Sequence, residues 1–201
     1  NALVTLNNAK KLRNGREIDD LAKRIDDRKK RDDWINSGNN AVSEGDYALA
    51  LEHYEQANRL ESSPAIEMAV KQASALKQVK EAKTQFDAGN ILQAKQILTN
   101  SLWNWPTEDA RSLMAKMGPA IAAAEQERQA DQDIDRGLFD DGIAKYERAL
   151  PKMPSPADVR VRGKLARARR AKIVAHADEL YQSRDYQGAL AVVEGSDGNY
   201  P

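Results

Sequence analysis

Apolar residues recur at three- and four-residue intervals along most of this chain, the spacing of one face of an α-helix. The clearest run is Ile66, Ala69, Ala73, Leu76, Val79, Ala82 and Phe86. An earlier run, Ile18, Leu21, Ala22, Ile25 and Trp34, keeps the same period through a very polar stretch. Residues 2–13 carry Leu3, Leu6, Ala9 and Leu12 at roughly helical spacing, and Asn14-Gly15 stops the run. These stripes read as helices, and the chain as all-α.

Starts and stops divide the stripes into pairs of one long and one short helix. Ser63-Pro64-Ala65-Ile66-Glu67 supplies a serine cap, a proline in the first turn and an acid at the positive end. Pro106-Thr107-Glu108-Asp109 and Ser155-Pro156-Ala157-Asp158 repeat that grammar. Gly45, Gly89 and Gly137 close the long helices. The predicted long helices are 16–44, 63–89, one reaching Gly137, and one beginning near Ser155. Their short partners are 46–60, 90–102, 139–150 and 185–194. Gly118-Pro119 falls inside the third long helix and predicts a kink or a break, because proline removes a donor and clashes with the preceding turn.

Alignment on Gly45, Gly89, Gly137 and Arg184 exposes an internal repeat. Seven residues before these turns stand Gly38, Ala82, Ala130 and Ala177. Five after stand Ala50, Ala94, Gly142 and Ala189, and twelve after stand Ala57, Ser101, Ala149 and Ser196. All twelve are small. The positions two after, Tyr47, Ile91, Phe139 and Tyr186, are large, as are those nine after, Tyr54, Leu98, Tyr146 and Val193. Antiparallel helices approach closely only where side chains are small, and bulky residues one turn away fill the space between neighbouring pairs.

The stretch Trp34–Pro64 resembles a tetratricopeptide repeat, with Trp34 and Gly38 at its first two marker positions. Gly45, Asp46 and Tyr47 make its turn, and Ala50, Tyr54 and Ala57 follow on the second helix. Ser37 replaces the usual Leu and Pro64 falls two residues late. The turns stand 44, 48 and 47 residues apart, against about 34 in the family, so the first helices are over-long. Gln78, Gln126 and Ile173 take the place of Trp34 in the later repeats. The resemblance implies a right-handed superhelical array of about four antiparallel helix pairs. As one domain over 1–201, it would hold a partial helix at 1–15 and pairs at 16–62, 63–106, 107–154 and 155–201. The non-Met start at Asn1 and the end at Pro201 suggest a piece of a longer protein.

In such arrays the first helices line a groove that holds a peptide or helix of another protein. The matching positions are Ile35, Asn39 and Val42, then Val79, Lys83 and Phe86, then Glu127, Asp131 and Ile134, then Val174, Asp178 and Tyr181. Asn39 matches a place where a side-chain amide grips a peptide backbone. The bland alternative is that Val79, Phe86 and Val174 are core. A grip on a carboxylate tail is disfavoured, because Ile35 stands where such members carry Lys and Glu127 and Asp131 present the wrong charge.

Composition narrows the chemistry. Basic and acidic residues balance at 31 each, so no global field favours nucleic acid or an anionic membrane. Locally, 158–172 carries seven basic residues against Asp158, with Arg160, Lys164 and Arg167 on one face. That patch offers a weaker, nucleic-acid reading. The acidic 125–141 is its complement, and the two could pair within one molecule or between copies. There are no cysteines, which excludes disulfides, thiol chemistry and Cys-based zinc sites, but leaves a cytoplasmic or bacterial periplasmic location equally open. No apolar run is long enough to span a membrane. Asp131-Gln-Asp133-Ile-Asp135 opens like a calcium loop, yet Arg136 and Gly142 stand where Gly and Glu are required. The expectation there is a helix ending in an acidic turn. His53 and His176 lack any partner motif and read as packing or surface residues. No phosphate loop or nucleophile motif appears, so no cofactor or catalytic residue is expected. The reading is a non-catalytic interaction scaffold, with a structural spacer or self-assembly segment as the alternative.

Overall fold

The structure, a computed structural model, describes residues 4–5 and 16–196. The expected partial helix at 1–15 lies outside the described residues apart from Val4 and Thr5. From residue 16 on, the described residues form eight α-helices and no strand. They are α1 (Arg16–Ser43), α2 (Tyr47–Leu60), α3 (Pro64–Asp87), α4 (Ile91–Asn104), α5 (Glu108–Asp135), α6 (Phe139–Ala149), α7 (Ala157–Gln182) and α8 (Tyr186–Ser196). A 3-10 turn, Leu150–Lys152, follows α6. The helices pack in sequence-adjacent pairs, long with short, and the long members run 28, 24, 28 and 26 residues.

The four turns within pairs are built alike. Gly45, Gly89, Gly137 and Arg184 have φ of 75°, 80°, 78° and 67°. At each, the following residue's N–H reaches back to the carbonyl five residues earlier, as Asp46 does to Ala41 at 2.9 Å and Asn90 to Gln85 at 2.8 Å. Leu138 to Asp133 and Asp185 to Leu180 repeat it. This six-to-one bond ends a helix by satisfying a terminal carbonyl, and its left-handed residue suits glycine. Arg184 adopts the same conformation without glycine's freedom.

Helix starts are less uniform. Ser63 Oγ accepts from Ile66 N–H at 3.3 Å at the head of α3, and Asp46 accepts from Leu49 N–H at 3.0 Å at the head of α2. The Ser155 cap expected for α7 is not made: the cap position is Pro156, with no side-chain hydrogen bond. Of the kink or break expected at Gly118-Pro119, the break is absent: α5 runs through Pro119. Pro119 and Ala115, whose carbonyl loses its partner, are both exposed to water. Met117, Ala120, Ala123 and Ala124 are buried around them. Their burial offsets the roughly 3 kcal/mol that an interior proline costs.

The chain divides into two compact units. Among the described residues, one holds those up to Lys80 together with Ser101–Thr107, and the other holds Glu81–Asn100 together with those from Glu108 onward. The core of the first is Ala41, Ala50, Tyr54, Ala57, Ile66 and Ala73, so the start of α3 covers the α1–α2 pair. The second centres on Ala130, Tyr146 and Ala149 of the α5–α6 pair, covered by Ala157, Val161, Leu165 and Ala168 of α7.

The small positions account for this packing. Gly38, Ala50 and Ala57 are buried, as are Ala82, Ala94 and Ser101, and Ala130, Gly142 and Ala149. A methyl added at Gly38 would lie 2.5 Å from the Tyr54 ring, and one at Gly142 would lie 2.6 Å from Ile134. Tyr54, Leu98 and Tyr146 are likewise buried, whereas Val193, at the same place in α8, is 46% exposed.

Candidate functional site

The twelve groove positions fall into three environments. Ile35 and Val42 are half-buried and pack on the core of the first unit, and Phe86 and Ile134 do so in the second. Val79 is also half-buried. Glu127 is buried and Asp131 half-buried. Asn39, Lys83, Val174, Asp178 and Tyr181 are exposed. The last three form the most open group. They lie at i, i+4 and i+7 on α7 and so share one face. The Tyr181 ring meets Tyr186 of α8 edge-on, with centroids 5.4 Å apart.

Asn39 is already engaged. Its Oδ1 accepts from the Tyr54 hydroxyl at 2.8 Å, and no bond occupies its amide donors among the described residues. In the third pair, Asp131 accepts from the Tyr146 hydroxyl across the same fifteen-residue separation. The two pairs that lack this bond have Leu98 and Val193 in place of tyrosine. Burial raises the Tyr54 hydroxyl above its ordinary pKa, and burial with the Asp131 contact raises Tyr146 further. Both therefore act as donors at neutral pH.

The acidic groove positions and the basic patch form one network. Arg160 donates through Nε and a terminal nitrogen to the two oxygens of Glu127, each at 3.0 Å. Lys164 lies 2.8 Å from Glu127 and 2.7 Å from Asp131. Arg160 also donates to the Gly89 carbonyl at 3.3 Å. Burial pushes the Glu127 carboxyl up, but the hydrogen bonds from Arg160 and Lys164 outweigh it and hold the group below its ordinary value. Burial works against the charged Lys164, and its bonds to Asp131 and Glu127 overcome that and raise it. Charge-assisted bonds of this kind are about twice as strong as neutral ones.

Most of the remaining cations on α7 are spoken for as well. Arg169 pairs with Glu147 at 2.6 Å, Lys172 pairs with Asp140, and Arg162 lies 3.6 Å from Asp158. Of the seven, only Arg167 and Arg170 make no ion pair among the described residues. Arg167 instead caps the Gly163 carbonyl at 3.3 Å. The acidic and basic segments thus pair within one molecule.

The calcium-like stretch sits inside the last turns of α5, where Asp131 meets Lys164 and Asp133 meets Lys145. Among the described residues no three His, Cys, Asp or Glu side chains are grouped to hold a metal. None of the described helices is long and apolar enough to cross a membrane. His53 stacks on Trp34 with ring centroids 5.2 Å apart, and its buried Nδ1 has no hydrogen-bond partner among the described residues. His176 lies on the surface, 3.8 Å from Glu179.

Two features escaped the sequence reading. The tyrosine–acceptor bonds were foreshadowed by Tyr54 with Asn39 and Tyr146 with Asp131 at equal spacing, but the repeat pattern weighs size rather than polarity. Trp103 is 89% exposed at the end of α4. It stands outside the repeat register, so nothing there marked it.

Compared with known proteins, the chain matches no family model, no curated protein and no solved structure.

Proposed function

We propose that this chain is a non-catalytic protein-interaction scaffold built from divergent tetratricopeptide-like helix pairs. In this reading the pairs belong to a right-handed α-solenoid, and the partner is a peptide or helix of another protein. The observation that carries it is the repeated pair itself. Three successive pairs bury small residues at the same three places, and four equivalent turns set a left-handed residue at the same position. Such units need neighbours to bury their faces, and their usual product is an extended surface rather than an enclosed reaction site.

The face at Val174, Asp178 and Tyr181 is the strongest contact surface on this reading. Val174 is 66% and Tyr181 59% exposed, with a carboxylate between them. Exposed aromatic and branched side chains beside one charge suit an amphipathic segment. Selection from a displayed random-peptide library tests it. The expected result is an enriched peptide whose binding is lost in Val174→Glu and Tyr181→Ala while helicity stays intact. Absence of enrichment, or binding that both variants retain, would refute the reading.

Self-assembly is the second reading, favoured by one observation. Tyr186 and Leu190 on α8 are 58% and 57% exposed and lie one turn apart, continuing the apolar face of α7. A light-scattering mass that rises from the 22.3 kDa of one chain with concentration would favour it. The nucleic-acid reading loses ground, because Arg160 and Lys164 are neutralised by Glu127 and Asp131.

A further inference from the structure

A second surface lies on the first unit and is lined by none of the groove positions. Lys71, Ser74 and Gln78 share one face of α3 at i, i+3 and i+7. With Trp103, Asn104 and Trp105 they line an open cleft of about 470 Å³. Ser101 Oγ donates to the Ala75 carbonyl at 3.4 Å, which fixes the end of α4 on α3 beneath the cleft. Trp105 is half-buried and its backbone N–H is held by the Ser101 carbonyl at 2.9 Å. Trp103 stands in water at 89% exposure. An indole left so bare keeps a large apolar face in water instead of burying it.

The polar chemistry of the cleft has an excess of donors. Lys71 and the two indoles can only donate hydrogen bonds, while Ser74, Gln78 and Asn104 can donate or accept. None of these six side chains bonds to another group of the protein among the described residues, and no carboxylate lines the cleft. A cationic ligand therefore finds no counter-charge. A sugar chain brings hydroxyls that donate as well as accept, and its donors would have only the oxygens of Ser74, Gln78 and Asn104 to meet. A proline-rich segment brings the reverse imbalance, since each proline offers a carbonyl and no N–H. In the polyproline II form its carbonyls have no internal partners, and its rings suit flat aromatic surfaces.

We infer that the cleft between α3 and the Trp103–Trp105 segment binds a proline-rich polypeptide in the polyproline II form. Trp103 packs on the proline rings, and Lys71, Gln78 and the indole N–H groups donate to the backbone carbonyls. This site shares no residue with the α7 surface, so either can fail without the other.

Calorimetric titration of the whole chain with an end-blocked decaproline peptide tests this, with cellohexaose as the competing ligand. Saturable decaproline binding is expected, weakened about ten-fold or more by Trp103→Ala and unchanged by Tyr181→Ala. Trp103 is nearly bare, so the melting temperature of its variant should match wild type. No saturation by decaproline, equal affinity in Trp103→Ala, or binding of cellohexaose instead would each overturn the assignment.

Discussion

Tyr54 donates its hydroxyl hydrogen to Asn39 Oδ1 at 2.8 Å, tying α2 to α1 across the first pair. Tyr146 does the same to Asp131 in the third pair, with a carboxylate as acceptor. A neutral bond contributes about 0.5–1.5 kcal/mol and one to a charged group about 1.5–3. Tyr146→Phe should therefore destabilise more than Tyr54→Phe. Urea unfolding of the two variants checks the order.

The contact of Gly38 with Tyr54 predicts a cost for the smallest substitution. A methyl there would meet the ring at 2.5 Å, and the ring is held by its hydroxyl. Overpacking costs about 1–3 kcal/mol, against about 0.8–1 returned by better helix propensity. Gly38→Ala should lower stability by about 1 kcal/mol in denaturant titration. Gly118→Ala has open space at the same atom and should not destabilise.

Arg184 predicts the opposite sign. Its φ of 67° occupies the place held by glycine in the other three turns. The left-handed penalty of about 1–2 kcal/mol exceeds the entropic cost of glycine, about 0.5–1. Arg184→Gly should raise the unfolding free energy by about 0.5–1 kcal/mol, measured by chemical denaturation.

Glu127 carries a pH signature. Its carboxyl is held below the ordinary 4.5, so its contribution is complete above that value and lost as pH falls through the lower folded pKa. Lys164 is raised above 10.5, so its share is complete below that value and lost as pH rises through the higher folded pKa. Glu127→Gln should cost about 1–3 kcal/mol at neutral pH. The lower end is favoured because the Arg160 side chain is 43% exposed and screened. The variant should also lose less stability than wild type between pH 5 and the acid limit. Thermal melts across that range read both effects.

The turns and small positions were legible because each has one physical solution. A left-handed residue ends a helix most cheaply as glycine, and Ala or Gly alone lets two helices meet closely. Even Arg184 could be placed, by register with Gly45, Gly89 and Gly137. The network of Glu127 and Arg160 was only half legible, because opposite charges 33 residues apart announce attraction but not whether it closes within the chain. Pro119 left a kink and a break both open, because the cost of an interior proline depends on whether its freed carbonyl faces water, which needs the neighbouring helices. The division of the chain inside α3, after Lys80, has no glycine or proline to mark it. Trp103 was invisible because a tryptophan in an amphipathic helix ordinarily points inward.

The scaffold account stands or falls on where a bound segment rests. Hydrogen–deuterium exchange, with and without the library-selected peptide, locates it most directly. The account predicts slower exchange over 171–185, around Val174, Asp178 and Tyr181, with the turn glycines unchanged. Protection confined to other helices, with 171–185 exchanging as in the free chain, would contradict it.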